Sequence, residues 1–487
     1  MSRRGCWTDE GVGERETVGH PERHGRFLDP DLKRWGKLHY LAIADALADD
    51  IRTGHLLPGT RLPTQRALAE TLDLNFTTVS RGYVEAHRRG LIEGRVGRGT
   101  FVVDPSEGTR PGDASRSRRP GPVDFTMNLP PEPDLPEVQA RMRSSFADLS
   151  GDLANLLRYQ GFGGTEADKE AALRWLRGRG IVTARERLLI CPGAHSALSS
   201  ILGQVARAGD TICAERITYP GIRTLAAHRG LRLIGLPMDR HGIDPDAFAA
   251  ACTRDAPKAI YLNPLLQNPT TATLSRGRRE AIVATARRYA VTIIEDDAYA
   301  RICPTPPPSF AELAPEITYY VAGVAKCLGA GLRLAFLVAP SARSALPLGD
   351  ALRAATVMAS PISTALTTRW IMDGTADAIV DFVRAESAAR QSLAAALLPA
   401  ETYVADPHAF HVWINLPTGW TRSAFASQGR SAGLGVVGSD AFCVAGTPPE
   451  SVRLCLGGPS TRQQIAHGLE MLAHALEGSP ALASTYI

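Results

Sequence analysis

The chain has 487 residues, a length that corresponds to roughly two to four domains of ordinary size. Hydrophobic residues make up 44% of the chain and charged residues 21%, which excludes a wholly disordered or fibrous protein. No apolar run approaches the roughly 18 residues that a membrane-spanning helix needs, and the N-terminus lacks a signal-peptide core, so we expect a cytoplasmic protein. The net charge of +4 is too small to indicate nucleic-acid binding by the chain as a whole, so any DNA site must depend on local charge.

Two stretches of low apolar content divide the chain. Residues 1–35 are rich in Gly, Arg and Glu and lack apolar periodicity, so we predict a disordered arm there. Residues 104–122 are dense in Pro, Gly, Ser and Arg, a composition typical of a linker. They separate a small unit, 36–103, from a large unit, 123–480. The eight cysteines are scattered without C-x-x-C pairs, which predicts neither a metal site nor a disulfide framework.

The small unit begins with an amphipathic helix, because apolar side chains recur at spacings of three and four from Leu41 to Ile51. Thr64 is placed to cap a second helix. Asn75 is placed to cap a third, whose buried side would carry Val79, Tyr83 and Ala86. Two short helices joined by a tight segment predict a helix-turn-helix, and the β-rich runs on either side of the glycine-rich segment 94–99 predict a hairpin, or wing.

Positive charge is concentrated on the predicted third helix and wing, where five arginines face two glutamates between Phe76 and Phe101. A helix with exposed hydroxyl and guanidinium groups suits the major groove of DNA and its phosphates. The predicted DNA contacts are Arg66, Thr77, Thr78, Ser80, Arg81, Arg95 and Arg98. A small helical domain with an ordinary solvated basic face has the same pattern, so this alternative stays open on these residues alone.

The large unit alternates helical stretches with short β-rich runs, at 188–191, 211–214, 259–262, 291–295, 319–322 and 334–338. This alternation predicts an α/β fold whose sheet is covered by helices on both faces. Open α/β sheets bind their ligands just beyond the carboxyl ends of the strands. Polar residues that follow these runs are therefore the first candidates for a site.

Two of these strand ends carry ionisable groups. Lys326 follows the run 319–322 and precedes a glycine-rich loop that contains Arg333. Asp296 ends another run, and Tyr299 lies three residues further on. Taken singly, a lysine after a strand is an ordinary surface residue and a carboxylate there is an ordinary helix cap.

Further polar groups follow other strands. Asn268 lies in an Asn-Pro turn, Tyr219 precedes a proline, and Arg453 lies in a β-rich run near the end of the chain. A strand that runs into a helix presents backbone N–H groups to a phosphate at Gly193, Ala194 and His195. Together these groups meet the needs of a pyridoxal phosphate site, which are a Schiff-base lysine, a carboxylate for the pyridine nitrogen, donors to the ring oxygen, a stacking aromatic ring and phosphate donors.

The order and spacing of these residues resemble the fold-type I aminotransferases over essentially the whole large unit. The resemblance implies a Schiff base at Lys326, a pyridine partner at Asp296, ring-oxygen contacts from Asn268 and Tyr299, stacking by Tyr219, phosphate binding by Arg333 and carboxylate binding by Arg453. Tyr159, in the segment YQGFGG, matches a tyrosine that reaches the phosphate of the partner subunit in that family. The resemblance therefore also implies a homodimer.

The small unit closely resembles the winged helix of GntR-family regulators in the run LLPGTRLPTQRALA at 56–69 and in GRGTFV at 97–102. Both halves together look like the MocR subgroup of that family, which also fits the segments 127–131 and 266–273. The subgroup uses an aminotransferase-like domain as a sensor. The resemblance thus implies a DNA-binding transcriptional regulator that responds to pyridoxal phosphate, a small amino compound, or both.

The sequence departs from these families at three positions. Phe76 replaces a residue that is polar or basic in many GntR members. Gly323 and Ala325 replace the small hydroxyl residues that usually precede the lysine, which weakens the expected grip on the cofactor phosphate. Two other functions therefore stay open, a working aminotransferase, at least for a half-reaction, and a scaffold that kept only the fold.

Overall fold

We describe the protein from a computed structural model, which covers residues 39–53, 55–57, 59–95, 99–103 and 123–478. The predicted arm, the predicted linker and Arg98 lie outside the described residues, as does the side chain of Arg95. The chain divides into two compact units, with the boundary between Arg119 and Pro120. Each unit is described by itself.

The smaller unit consists of three helices followed by a hairpin, namely α1 (His39–Arg52), α2 (Gln65–Leu72), α3 (Phe76–Arg88), β1 (Ile92–Arg95) and β2 (Gly99–Val102). The two predicted N-caps are confirmed. The side-chain oxygen of Thr64 accepts from the backbone N–H of Ala67 at 3.3 Å, and that of Asn75 accepts from the N–H of Thr77 at 2.9 Å. The caps fix where α2 and α3 begin, and so set the angle between them.

Helices α1 and α3 pack closely because α3 presents no side chain at Gly82. A Cβ at that position would lie 2.9 Å from the side chain of Ile43. Val79, Tyr83 and Ala86 are buried as predicted. The strands β1 and β2 pair antiparallel, from Ile92 with Val102 to Arg95 with Gly99. The predicted winged helix-turn-helix is therefore confirmed.

The larger unit contains thirteen helices among the described residues, α4 (Pro136–Leu149), α5 (Leu153–Leu156), α6 (Glu166–Arg177), α7 (Ala194–Val205), α8 (Pro220–His228), α9 (Pro245–Asp255), α10 (Arg276–Tyr289), α11 (Phe310–Leu313), α12 (Ala342–Thr356), α13 (Pro361–Met372), α14 (Thr375–Leu397), α15 (Arg422–Ser431) and α16 (Arg462–Glu477). Its described strands are β3 (Leu188–Cys191), β4 (Thr211–Glu215), β5 (Arg232–Leu236), β6 (Met238–Asp239), β7 (Gly242–Ile243), β8 (Ala259–Leu262), β9 (Thr292–Asp296), β10 (Thr318–Gly323), β11 (Ala335–Val338), β12 (Tyr403–Val404), β13 (His411–Asn415), β14 (Val437–Gly438) and β15 (Ser451–Cys455). None of the helices in the described part of the chain is long and apolar enough to cross a membrane.

Seven strands form the main sheet in the order β3-β11-β10-β9-β8-β4-β5. All neighbours are parallel except β11, which runs antiparallel to both β3 and β10. Successive side chains of β10 enter different apolar clusters. Tyr319 and Val321 pack with Ile201 of α7, while Tyr320 packs with Leu176 of α6. The predicted α/β sheet, buried on both faces, is confirmed.

A second sheet, antiparallel and in the order β12-β13-β15-β14, packs against α14 and α16 around its own apolar cluster. Val412 and Leu454 are fully buried in this cluster. The neighbouring residue Arg453 therefore lies on a rigid strand, whose alternation turns it away from that core. This positions the arginine for the site described below.

Candidate functional site

In the smaller unit, the predicted DNA contacts lie on the solvent side of α3. Thr77 and Arg81 are exposed and share a face with Val84, whose side chain is 65% exposed. Thr78 and Ser80 are half-buried at the edges of this face, and Arg66 is exposed on α2. The structure thus brings the predicted contacts of the two helices to the surface of the helix-turn-helix.

Two contacts hold this face in place. The side chain of Asn75 accepts from the Thr77 hydroxyl at 2.8 Å, and the guanidinium carbon of Arg81 lies 4.3 Å from the centre of the Tyr40 ring. Arg89, which contributes to the positive charge of this segment, pairs instead with Asp45 at 2.5 Å and with Glu85 at 2.8 Å. Local charge in the sequence therefore overstates the charge that is free to meet phosphates.

In the larger unit, polar side chains gather at the carboxyl ends of β8, β9 and β10. Asp296, the last residue of β9, is buried, and its Oδ2 accepts from the hydroxyl of Tyr261 at 2.8 Å. Its Oδ1 is also buried but has no hydrogen-bond partner among the described residues. Burial raises the pKa of the Asp296 carboxyl to about 6. A cationic N–H group facing Oδ1 would give this oxygen a hydrogen-bond donor. Its positive charge would also stabilise the ionised form of the carboxyl group.

Lys326 lies in the turn that follows β10, and its side chain reaches inward. The Nζ donates to the backbone carbonyl of Asn128. Burial lowers the pKa of the Lys326 amine to about 8, because the charged form loses water, and the charges of Arg453 and Arg333 act in the same direction. At neutral pH this amine is thus neutral far more often than an exposed lysine, as a nucleophile for an aldehyde must be.

Arg453 and Asn268, predicted separately, lie in direct contact. The Nη1 of Arg453 donates to the side-chain oxygen of Asn268 at 2.8 Å, and its Nη2 donates to the carbonyl of Thr126 at 2.6 Å. The guanidinium also lies 4.9 Å from the centre of the Phe442 ring. The backbone N–H of Asn268 donates to the Oδ1 of Asn263 at 2.8 Å. These contacts orient the arginine, while its Nε is buried without a partner in the described chain.

Tyr299 is buried beside this pair, and its hydroxyl accepts from the Nδ2 of Asn128 at 2.6 Å. Its ring packs on Phe410 and on His411, with centroids 5.7 and 5.6 Å away. Asn128, Asn263 and His411 were not predicted as site residues. Asn128 and His411 contact Tyr299, which is distant from both in the sequence, whereas Asn263 accepts from the backbone of Asn268 a few residues along the chain. The sequence gives no periodic signal for any of the three.

The opposite end of the site lies at the start of α7. Gly193 precedes the helix with a φ of 85°, and a Cβ there would lie 3.4 Å from the guanidinium of Arg333. Ala194 and His195 form the first turn of α7, whose free N–H groups favour an anion. Partial burial, together with the charge of Arg333, lowers the pKa of His195. A helix N-terminus and an arginine therefore meet at one point, as a phosphate site requires.

The hydroxyl that is missing at position 323 belongs to this same end. A Cβ at Gly323 would lie 3.4 Å from the Cβ of Ala194, so position 323 faces the first turn of α7. Ala325 follows in the turn that leads to Lys326. The space that a hydroxyl donor would use is therefore beside the anion site.

Tyr219 is half-buried at the start of α8, and its ring lies against Gly221. A Cβ at Gly221 would lie 2.2 Å from the ring, so the glycine is needed for this position of the tyrosine. Tyr159 is 84% exposed. No contact of Tyr159 with the other predicted site residues is seen in the described part of the chain.

These groups fit pyridoxal phosphate. An unpartnered carboxylate oxygen at Asp296, an amine of lowered pKa at Lys326 and an anion site at α7 are arranged on an α/β sheet at the carboxyl ends of its strands. The fold and site thus define a protein of the pyridoxal phosphate-dependent fold-type I class.

Comparison with known proteins agrees. The family "Aminotransferase class I and II" matches residues 121–472, and "Bacterial regulatory proteins, gntR family" matches residues 39–102. The chain belongs to the class I and II aminotransferase family and carries a GntR domain before it. This confirms the predicted resemblance to GntR regulators of the MocR type, and the fold implies pyridoxal phosphate as cofactor.

Among the relatives is the uncharacterized HTH-type transcriptional regulator YdeF of Bacillus subtilis, which is 27% identical over 92% of this chain and 96% of its own length. The probable rhizopine catabolism regulatory protein MocR of Rhizobium meliloti is 28% identical over 61% of this chain and 64% of its own. The crystal structure of LysN, an alpha-aminoadipate aminotransferase from Thermus thermophilus, has a TM-score of 0.67 and 24% identity, over 78% of this chain and 100% of that one. The last of these establishes the fold only.

Proposed function

We propose that this protein is a transcriptional regulator that binds operator DNA through its winged helix and senses pyridoxal phosphate, alone or with a small amino compound, in its larger unit. The observation that carries the proposal is a site that contains Lys326, Asp296 and Arg453, with a buried and unpartnered oxygen on Asp296, in a chain that also carries a GntR domain. We place the protein in the cytoplasm, where a DNA-binding regulator of this kind would meet its operator.

Different residues of the larger unit would bind different parts of the cofactor. When bound, pyridoxal phosphate supplies an aldehyde that reacts with amines and a ring that withdraws electrons. Lys326 would hold the aldehyde carbon, and the free Oδ1 of Asp296 would keep a proton on the pyridine nitrogen. The remaining contacts would be Asn268 and Tyr299 to the ring oxygen, Tyr219 to the ring face, and Gly193, Ala194, His195 and Arg333 to the phosphate.

Arg453 would bind the carboxylate of an amino compound. Its fork is held by Asn268 and Thr126, which fixes the plane in which a carboxylate would be met. The absence of hydroxyls at Gly323 and Ala325 removes donors that contribute about 1–3 kcal/mol each when nothing replaces them. We therefore expect reversible rather than very tight binding of the cofactor, as suits a sensor.

The DNA-binding form would be a homodimer that places two winged helices on two half-sites. The winged helix of each protomer would contact DNA through Arg66, Thr77, Thr78, Ser80, Arg81, Arg95 and Arg98. The exposed Tyr159 supports a dimer, because its predicted role is to reach the cofactor phosphate of the partner. Exposed apolar residues nearby, Leu153, Leu157 and Phe162, offer a surface for such a contact.

A working aminotransferase is the second candidate, and the survival of Lys326, Asp296 and Arg453 favours it. These groups suffice to bind an amino acid and to move a proton. The chain is also 27% identical to a 2-aminoadipate transaminase of Thermus thermophilus over 75% of this chain and 93% of that protein. The attached GntR domain argues for regulation as the main role, because an enzyme has no need of it.

The proposal is tested by adding pyridoxal phosphate to the purified full-length protein, recording the visible absorbance, reducing with borohydride and analysing peptides by mass. We expect an adduct on Lys326. Lys258, an exposed lysine of the same unit, serves as an internal control for non-specific reaction. An unmodified Lys326, or equal modification of both lysines, would rule out the proposed cofactor site.

A further inference from the structure

Residues 123–131 form a segment that we call the strap. It begins directly after residues 104–122, which join the larger unit to the GntR domain. Both ends of the strap are held by backbone hydrogen bonds. The N–H of Phe125 donates to the carbonyl of Gly435 at 3.0 Å, and the N–H of Gly458 donates to the carbonyl of Pro130 at 3.0 Å. The ring of Phe125 is buried in the cluster of the second sheet, so the ends are fixed.

The middle of the strap lies across the cofactor site. The carbonyl of Thr126 accepts from Arg453 at 2.6 Å, and the carbonyl of Asn128 accepts from Nζ of Lys326. The side chain of Asn128 donates to the hydroxyl of Tyr299 at 2.6 Å. Two backbone carbonyls thus accept hydrogen bonds from Lys326 and Arg453, the side chains that would bind the cofactor and an amino compound.

The contact with Lys326 depends on a free amine. When the neutral amine condenses with an aldehyde, a carbon–nitrogen double bond forms and the carbonyl oxygen leaves as water with the two amine hydrogens. Once the cofactor is attached, the nitrogen of Lys326 would carry at most one proton, and the ring oxygen of the cofactor would compete for it. The carbonyl of Asn128 would then lose this donor, and no other donor to it is seen among the described residues.

We propose that the mobility of the strap depends on the state of Lys326, with Asn128 as the positioning residue. Cofactor attachment would release the middle of the strap, between its two fixed ends and a few residues beyond the segment that joins it to the GntR domain. This inference rests on the proposed function, since it requires a cofactor on Lys326. The contact between Thr126 and Arg453 does not involve the Lys326 amine, so we expect the release to be local to Asn128 and its neighbours. Such a change supplies the difference in interactions that a ligand needs in order to shift a regulator between states.

Hydrogen exchange of the full-length protein with and without pyridoxal phosphate tests the proposal, with the visible absorbance recorded on the same samples. We expect peptides that span the strap to exchange about tenfold faster once the cofactor is attached, the change that corresponds to one lost hydrogen bond from a charged donor. Unchanged or slower exchange in samples that show the absorbance band would overturn the inference and leave the cofactor site intact. A missing band would overturn both.

Two variants test the same contact without the cofactor. Lys326→Met keeps the aliphatic stem but removes the donor, so its strap should exchange faster in the absence of any ligand. Asn128→Ala removes the bond to Tyr299 and should raise the exchange of the free protein and shrink the response to the cofactor. Met127→Ala is the matched control, because this neighbouring side chain is 58% exposed. Wild-type exchange in Lys326→Met would contradict the proposal whatever the cofactor does.

Discussion

In the smaller unit the described residues among the predicted DNA contacts lie at the surface of two helices, α2 and α3, whereas in the larger unit the predicted site includes buried groups, such as Asp296 and Arg453, that come from distant stretches of chain. The first site is shaped by helix caps such as Asn75, and its side chains stay solvated until a ligand arrives. The second holds Asp296 and Lys326 out of water, which shifts the pKa of each. A DNA-recognition surface can thus be formed by residues that are close in the sequence, whereas the shifted pKa values of a reactive site require burial.

The largest effect expected from this contrast is at Lys326. Lys326→Ala removes the lysine that would bond covalently to the cofactor in the proposed site, so the absorbance band produced by covalent attachment should be lost completely. Operator binding by the cofactor-free protein should persist, because that surface belongs to the other unit. Lys258→Ala is the control and should behave as wild type. A persistent band in Lys326→Ala would show that another lysine is used.

The second prediction concerns pH. The amine of Lys326 has a lowered pKa of about 8, and only the neutral amine attacks an aldehyde. The rate of cofactor attachment should therefore rise about tenfold per pH unit below that value and level off above it. Stopped-flow absorbance measures the rate. A rise that continues to pH 10 would indicate an ordinary exposed lysine.

The third prediction tests the exposed site. Arg81→Ala should weaken operator binding by about 1–3 kcal/mol, whether the lost contact is to a base or to a phosphate, and should leave cofactor attachment unchanged. Fluorescence anisotropy on a labelled operator measures the affinity. Arg207→Ala, which removes an exposed arginine of the larger unit, should have no effect on DNA. Equal losses in both variants would argue against recognition by α3.

The smallest effect is expected at the helix cap. Asn75→Ala should reduce the free energy of unfolding of the smaller unit by about 1 kcal/mol, because it frees the N–H of Thr77 at the start of α3. Asn75→Asp keeps an acceptor and should be close to neutral. Thermal unfolding followed by circular dichroism compares the two. Equal stability of the alanine and aspartate variants would mean that the cap does not hold the helix.

The fold could be predicted closely because it depends on local patterns. The runs 188–191 and 259–262 are strands with those same bounds, and both predicted caps of the smaller unit are present. Site groups at strand ends, such as Lys326 and Asp296, were predictable for the same reason. Asn128 was not, because its role depends on contacts with residues more than 170 positions away.

The local charge of the sequence was less informative about the sites than its periodic patterns were about the fold. The sequence counts Arg89 with the arginines of the DNA-binding segment, but the folded chain uses it in ion pairs with Asp45 and Glu85. The contact between Arg453 and Asn268 could not be predicted either, although both residues were, because it joins strand β15 to a loop 185 positions earlier in the chain. Pairings between distant side chains decide these points, and a periodic pattern carries no information on them.

The central claim is that one chain couples a cofactor on Lys326 to DNA binding. The most direct test is to select an operator from random double-stranded DNA with the full-length protein, and then to measure its affinity with and without pyridoxal phosphate for the wild type and for Lys326→Met. We expect the cofactor to change the affinity of the wild type and to have no effect on the variant. The same affinity under all four conditions would contradict it.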